Sequence, residues 1–189
     1  DVLYNQYFFC LIGQVANSNV RRNALLLLID MFPLEDPNAS KEENGILLDK
    51  QFVFLEKLLT DPCPDIRITA VEGVCRILRL FWEVVSPTTT VKLLSKLIDE
   101  TSLDKSNASV RCAVLQGITY LLDNPASHEL SKALLPRLGS LFSDCNLAVR
   151  IAIVDMLLAI KGIRSIPFLK VYDPLFILRY NLELICERN

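Results

Sequence analysis

The stretch LLPRLGSLFSDCNLAVRIAIV, residues 134–154, decides the fold. Its first half continues an apolar series, Leu130, Leu134, Leu138, Leu141 and Phe142, whose three- and four-residue steps place these side chains on one face of a helix. A short polar turn, Ser143 to Asn146, follows. Val149 then opens a second stripe through Ile153, Met156, Leu157 and Ile160, which Gly162 can stop. Two amphipathic helices joined by a tight turn form one unit.

The unit recurs. An aliphatic residue followed by arginine opens an apolar helical stripe at Val20-Arg21, Ile66-Arg67, Val110-Arg111 and Val149-Arg150, so the arginines stand 46, 44 and 39 residues apart. That period suits two-helix solenoid repeats of roughly 40–47 residues, and the helical spacing and scarce glycine argue against strand-built blades of similar length. The fold class expected is all-α, an α-solenoid or α-α superhelix of about four helix pairs plus a partial fifth. The pairs fall at 3–32, 45–83, 88–123 and 127–162, with the partial pair at 167–189 and an acidic, mobile linker at 33–44. Pro64 suits a first helical turn, and Asn107 suits an N-cap. Asp173-Pro174 restarts a helix with Leu175, Leu178, Leu182 and Ile185 on one face, read as an A helix without its partner.

Composition narrows the function. With 51% hydrophobic and 22% charged residues the chain should be ordered nearly throughout, and a net charge of −2 supplies no global field for a polyanion. The longest apolar run, from Ala24, is too short to span a bilayer. The start, DVLYNQYFFCLIG, has neither methionine nor signal-peptide features, which suggests a segment of a longer protein. The six cysteines form no CxxC pair and read as free thiols of an intracellular protein.

Catalytic constellations are missing. His128 is the only histidine and reads as a surface residue at a helix start, and no phosphate loop, metal-ligand spacing or convergent carboxylate pair is present. No enzyme activity, cofactor, metal or small-molecule substrate is expected, and no membrane contact. Ser86-Pro87 is the one Ser-Pro pair, a weak signal for phosphorylation.

The arginine-led units resemble HEAT repeats, and LLPRLGSLFSDCNLAVRIAIV is very similar to a consensus unit, including Pro136 in its first helix. The resemblance implies a ladder in which a turn aspartate six residues before each arginine pairs with it. Asp61 and Arg67 have that spacing, as do Asp144 and Arg150. The pattern departs at Arg111, where Lys105 stands six residues before and Asp104 one place off, and at Arg21, where Val15 does. An arginine in a first helical turn is disfavoured by about 0.3–1 kcal/mol, so it requires acids or carbonyls. Structural pairing is the favoured reading of these arginines, and a row of phosphate ligands is the alternative.

Two longer stretches, Leu58 to Pro87 and Val149 to Arg164, resemble a narrower family, the G-type HEAT-repeat non-SMC subunits of condensin II, most specifically around Phe81-Trp82-Glu83 and Val154-Asp155-Met156. The resemblance implies a nuclear, chromosome-associated scaffold that binds the kleisin subunit, works beside the SMC ATPase pair, and helps engage DNA in mitotic chromosome condensation. Another HEAT adaptor, of transport or phosphatase-scaffold type without a DNA role, is the alternative. The outward face with Glu72, Arg76, Arg79 and Glu83 is balanced in sign, so DNA binding by this segment should be weak. Lys161, Arg164 and Lys170 are the candidate DNA or partner contacts, and Trp82 is either a partner anchor or part of the packing between repeats.

Overall fold

The computed structural model describes residues 15–166. Seven α-helices lie there: α1 (Ser18–Asp30), α2 (Lys41–Leu58), α3 (Pro64–Leu80), α4 (Pro87–Asp99), α5 (Ala108–Leu121), α6 (His128–Leu134) and α7 (Leu147–Lys161). Short 3-10 segments occupy Thr101–Leu103, Pro125–Ser127 and Leu135–Ser143. No strand is present among the described residues. The first helix expected, from Leu3, and the partial pair at 167–189 fall outside them, as do Lys170, Cys10 and Cys186.

Side-chain caps fix where most helices begin. Asn17, Asn107 and Asn146 each accept the backbone N–H two residues on, and Ser86 accepts that of Thr89. Ser40 and Glu43 form a capping box, so α2 starts at Lys41, four residues ahead of the expected Gly45, and the linker ends earlier than residue 44. That linker is also tied down. The fully buried Gln51 donates to the Leu34 carbonyl and accepts the Leu34 N–H, both at 2.9 Å, and Asn44 does the same to Asp36 at 3.0 and 2.8 Å.

The single helix expected over Leu130 to Phe142 is broken. Proline at 136 lacks the N–H that would bond the Lys132 carbonyl, and its ring crowds that carbonyl, so the chain leaves α6 and continues as 3-10 helix from Leu135. With three residues per turn, Leu135, Leu138 and Leu141 share one face, and all three are buried.

The helices form two layers. In one, α1, α3, α5 and α7 pack side by side in chain order; in the other, α2 packs on α4, and α4 on α6 with the 3-10 segment that follows it. A continuous apolar core joins the layers, running from Leu25 to Ile166. Within the first layer two glycines set the closest approaches: Gly73 lies under the Ile29 side chain, and a Cβ on Gly117 would stand 2.7 Å from Cys75 Sγ. Burial between these helices pushes the Cys75 thiol up to about 12.

Candidate functional site

Arg21, Arg67, Arg111 and Arg150 are each the fourth residue of their helix, in α1, α3, α5 and α7. Each guanidinium reaches back to a carbonyl of its own turn: Arg21 to Val15 at 2.7 Å, Arg67 to Asp61 at 2.6 Å, Arg111 to Asp104 at 2.6 Å and Arg150 to Asp144 at 2.8 Å. These bonds satisfy carbonyls in the turn and hold the side chain across it. They need no acid at that position, which is why Val15 serves as well as aspartate, and why the seven-residue spacing of Asp104 to Arg111 is tolerated.

The carboxylates face the other way. Arg21 pairs with Asp61 at 3.1 Å, Arg67 with Asp104 at 2.8 Å and Arg111 with Asp144 at 2.7 Å, so each acid serves the arginine of the preceding repeat. The expected pairing of Asp61 with Arg67, and of Asp144 with Arg150, is thereby corrected: within one repeat the contact is to the aspartate's backbone oxygen. The acids also order their own turns. Asp61 accepts the Cys63 N–H, Asp104 those of Ser106 and Asn107, and Asp144 that of Asn146.

The rungs differ in quality. Arg21 makes one contact to its acid. Arg67 places Nε 2.8 Å from Asp104 Oδ2 as an ion pair without hydrogen-bond alignment, and its Nη2 donates to Ser106 Oγ at 2.7 Å. Arg111 grips both oxygens of Asp144, at 2.7 and 2.8 Å. Hydrogen bonding to Asp144 raises the Arg111 pKa against its burial. Burial pushes the Asp144 carboxyl up, but bonds from Arg111 and the Asn146 N–H outweigh it and leave the group below the ordinary carboxylate value. The Asp104 carboxyl is likewise lowered, with burial opposed by Ser106, Arg67 and Asn107. Arg67 and Arg111 are buried and engaged on both sides, so their donors are largely taken up by carbonyls, carboxylates and Ser106 rather than held out for a phosphate.

The opposite ends of these helices carry a second, exposed set of links. Arg76 meets Asp30 at 2.7 Å, and Arg79 meets Asp123 at 3.3 Å while lying over the Tyr120 ring at 4.0 Å. In the other layer Lys92 meets Glu56 and Arg137 meets Asp99. The cations of the balanced face are therefore already matched by acids of neighbouring repeats.

Of the candidate contact residues, Lys161 ends α7 and Arg164 follows it, both exposed and in no salt bridge of the described residues. Trp82 is half-buried against the core, and Phe81 beside it is also half-buried, its ring edge-on to Phe32 at 5.3 Å. His128 is not a surface residue: it is 8% exposed, with Nε2 2.8 Å from the Leu122 carbonyl and Nδ1 on Ser165 Oγ. Among the described residues no cluster of His, Cys, Asp or Glu could hold a metal ion, and no helix is long and apolar enough to cross a membrane.

Residues 53–81, from the second half of α2 through α3, match the HEAT repeat family. The chain is similar to condensin-2 complex subunit G2 of Homo sapiens, 44% identical over 155 residues, which is 82% of this chain and 14% of that protein. It is similar to the subunit of the same name from Xenopus laevis, 41% identical over 173 residues, covering 90% of this chain and 15% of that protein. The Danio rerio subunit is 43% identical over 158 residues, 84% of this chain and 14% of that protein. No solved structure matches the chain. The chain spans about one seventh of the length of the curated relatives it matches.

Proposed function

The chain belongs to the condensin-2 complex subunit G2 family, and from that premise we propose that it acts as a non-catalytic HEAT-repeat scaffold whose outer surface binds the kleisin chain of a condensin complex in the nucleus. The observation that carries this reading is the use of charge between repeats. Three largely buried arginine–aspartate rungs and four more exposed pairs hold one helix pair on the next, a set of contacts that builds a continuous support rather than a reactive centre.

The same usage argues against strong DNA binding by this segment alone, because nonspecific affinity requires several cations free to replace counterions on phosphates. Lys161 and Arg164 are the residues we assign to any such contact, with Trp82 as the candidate anchor for a protein partner. DNA engagement and work beside the SMC ATPase pair then belong to the assembled complex.

Two measurements test the reading. The full-length subunit should retain the kleisin in a pull-down, and loss of retention on deleting residues 41–161 supports this segment as part of the binding surface; unchanged retention overturns it. This segment alone should bind duplex DNA no tighter than about micromolar at physiological salt. Nanomolar, salt-resistant binding would overturn the assignment of DNA engagement to the whole complex.

A further inference from the structure

His128 ties three elements together. It is the first residue of α6, its Nε2 meets the Leu122 carbonyl where α5 ends, and its Nδ1 meets Ser165 Oγ in the turn after α7. A carbonyl only accepts, so Nε2 carries a proton. Nδ1 is left to the serine hydroxyl, which can donate to it or accept from it. The ring is buried, whereas Ser165 is exposed, in a turn closed by the Ile166 N–H donating to the Ile163 carbonyl.

The charges around this contact are unequal. At the end of α5 Asp123 pairs with Arg79, and in α6 Glu129 pairs with Lys132. At the end of α7, Lys161 and Arg164 stand four and one residues before Ser165, exposed and in no salt bridge of the described residues. No acid lies within four residues of Ser165 on either side. An exposed hydroxyl thus sits beside two unmatched cations and a ring nitrogen able to take a proton. Ser86 of the Ser-Pro pair differs: its hydroxyl is shared with Thr88, Thr89 and the Thr89 N–H, Glu83 precedes it by three, and no Lys or Arg lies within four residues.

We propose that Ser165 is a phosphorylation site and that His128, with Arg164 and Lys161, holds the phosphate, fastening the end of α7 to the start of α6. A protein kinase supplies the group from ATP. The bond from the γ-phosphorus to the leaving ADP oxygen breaks, the bond to Ser165 Oγ forms, and the hydroxyl proton passes to the base of the kinase. The product carries about two negative charges at pH 7 and no hydroxyl proton to give to Nδ1. Nδ1 then takes a proton from water, and the imidazolium donates from both nitrogens, to the Leu122 carbonyl and to a phosphate oxygen. The larger group requires Ser165 to draw back from the ring, which its exposed turn permits. A negative charge at a helix C-terminus is unfavourable, but Ser165 lies three residues beyond the α7 C-cap Gly162, and that effect fades within the last turn.

Two experiments test the assignment. When the full-length subunit is purified from interphase and from mitotic cells under phosphatase inhibition, peptide mass spectrometry should find phosphate on Ser165. Its absence from both overturns the proposal. In the second experiment phosphoserine is built into position 165 of the chain during synthesis. The chain has one histidine, so its ring nitrogen signals are assigned without ambiguity. At pH 7 the doubly protonated fraction of His128 should rise at least about twofold over the unmodified chain, and the rise should survive about 0.5 M salt, where screening removes the effect of a charge not in contact. Tm should rise by about 2–4 °C, and Lys161→Ala with Arg164→Ala should remove part of that gain. Ring signals that match those of the unmodified chain, or a Tm that falls, overturn the proposal.

Discussion

Arg111 holds both carboxylate oxygens of Asp144 from the next repeat while donating to the carbonyl of Asp104 in its own turn. One side chain therefore closes its own turn and fixes the position of the following repeat. Both partners are largely buried, with side chains 9% and 8% exposed, so water does little to weaken the pair.

Removing either partner leaves the other buried and unmatched. Arg111→Ala and Asp144→Asn should each cost about 2–4 kcal/mol, and the double variant should cost clearly less than the sum. Arg21→Ala, whose rung has a single contact at 3.1 Å, should cost less than Arg111→Ala. Chemical denaturation of the variants measures both the order and the coupling.

Acid should loosen the ladder before it disturbs the apolar core. The Asp104 and Asp144 carboxyls are lowered in the folded chain, so each binds its proton more weakly than the unfolded chain does. The stability they contribute is complete above the unfolded value of about 3.9 and is lost as pH falls through it toward the lower folded value. Unfolding free energy measured between pH 6 and pH 3 should therefore drop, and Asp144→Asn should flatten that drop.

The contact at Gly117 tests how tightly α3 and α5 are fitted. An alanine there raises helix propensity by about 1 kcal/mol but places its Cβ 2.7 Å from Cys75 Sγ and 3.3 Å from Cys75 Cβ. Overpacking should win, with a net loss of about 1–3 kcal/mol. Adding Cys75→Ala should recover part of it, and thermal melts of the three variants check the sign.

Gln51→Leu should free the linker. The substitution removes both amide bonds to Leu34 and leaves its N–H and carbonyl without those partners, a cost of about 1–3 kcal/mol. Hydrogen exchange at residues 33–39 should accelerate while that of α5 stays unchanged.

The arginine-led helices were legible because their signal is local: an aliphatic residue, an arginine and a stripe at helical spacing lie within one helix, with the N-cap Asn107 beside one and the first-turn Pro64 opening another. The ladder was only half legible. The spacing of six between Asp61 and Arg67 is real, but it records a backbone bond inside one turn, whereas the carboxylate contacts join residues 33 to 40 positions apart across turns of unequal length. Asp104, seven residues before Arg111, therefore looks like a departure from the pattern although it is a full rung to Arg67. The break before Leu135 was concealed because 3-10 helix repeats every third residue, and Leu138 and Leu141 fit either helix type. His128 looked exposed because its turn is polar; its burial depends on Leu122 and Ser165, which its immediate neighbours do not reveal.

The rungs all lie at one end of the parallel helices, whereas the other end is joined by Asp30 with Arg76 and by Arg79 with Asp123, pairs that reach well into solvent. The stack is bound like a book, along one edge. Bending the stack should therefore open it first at the edge held only by solvent-exposed pairs, where Met31, Leu80 and Tyr120 stand exposed, with the spine of arginines as the hinge line.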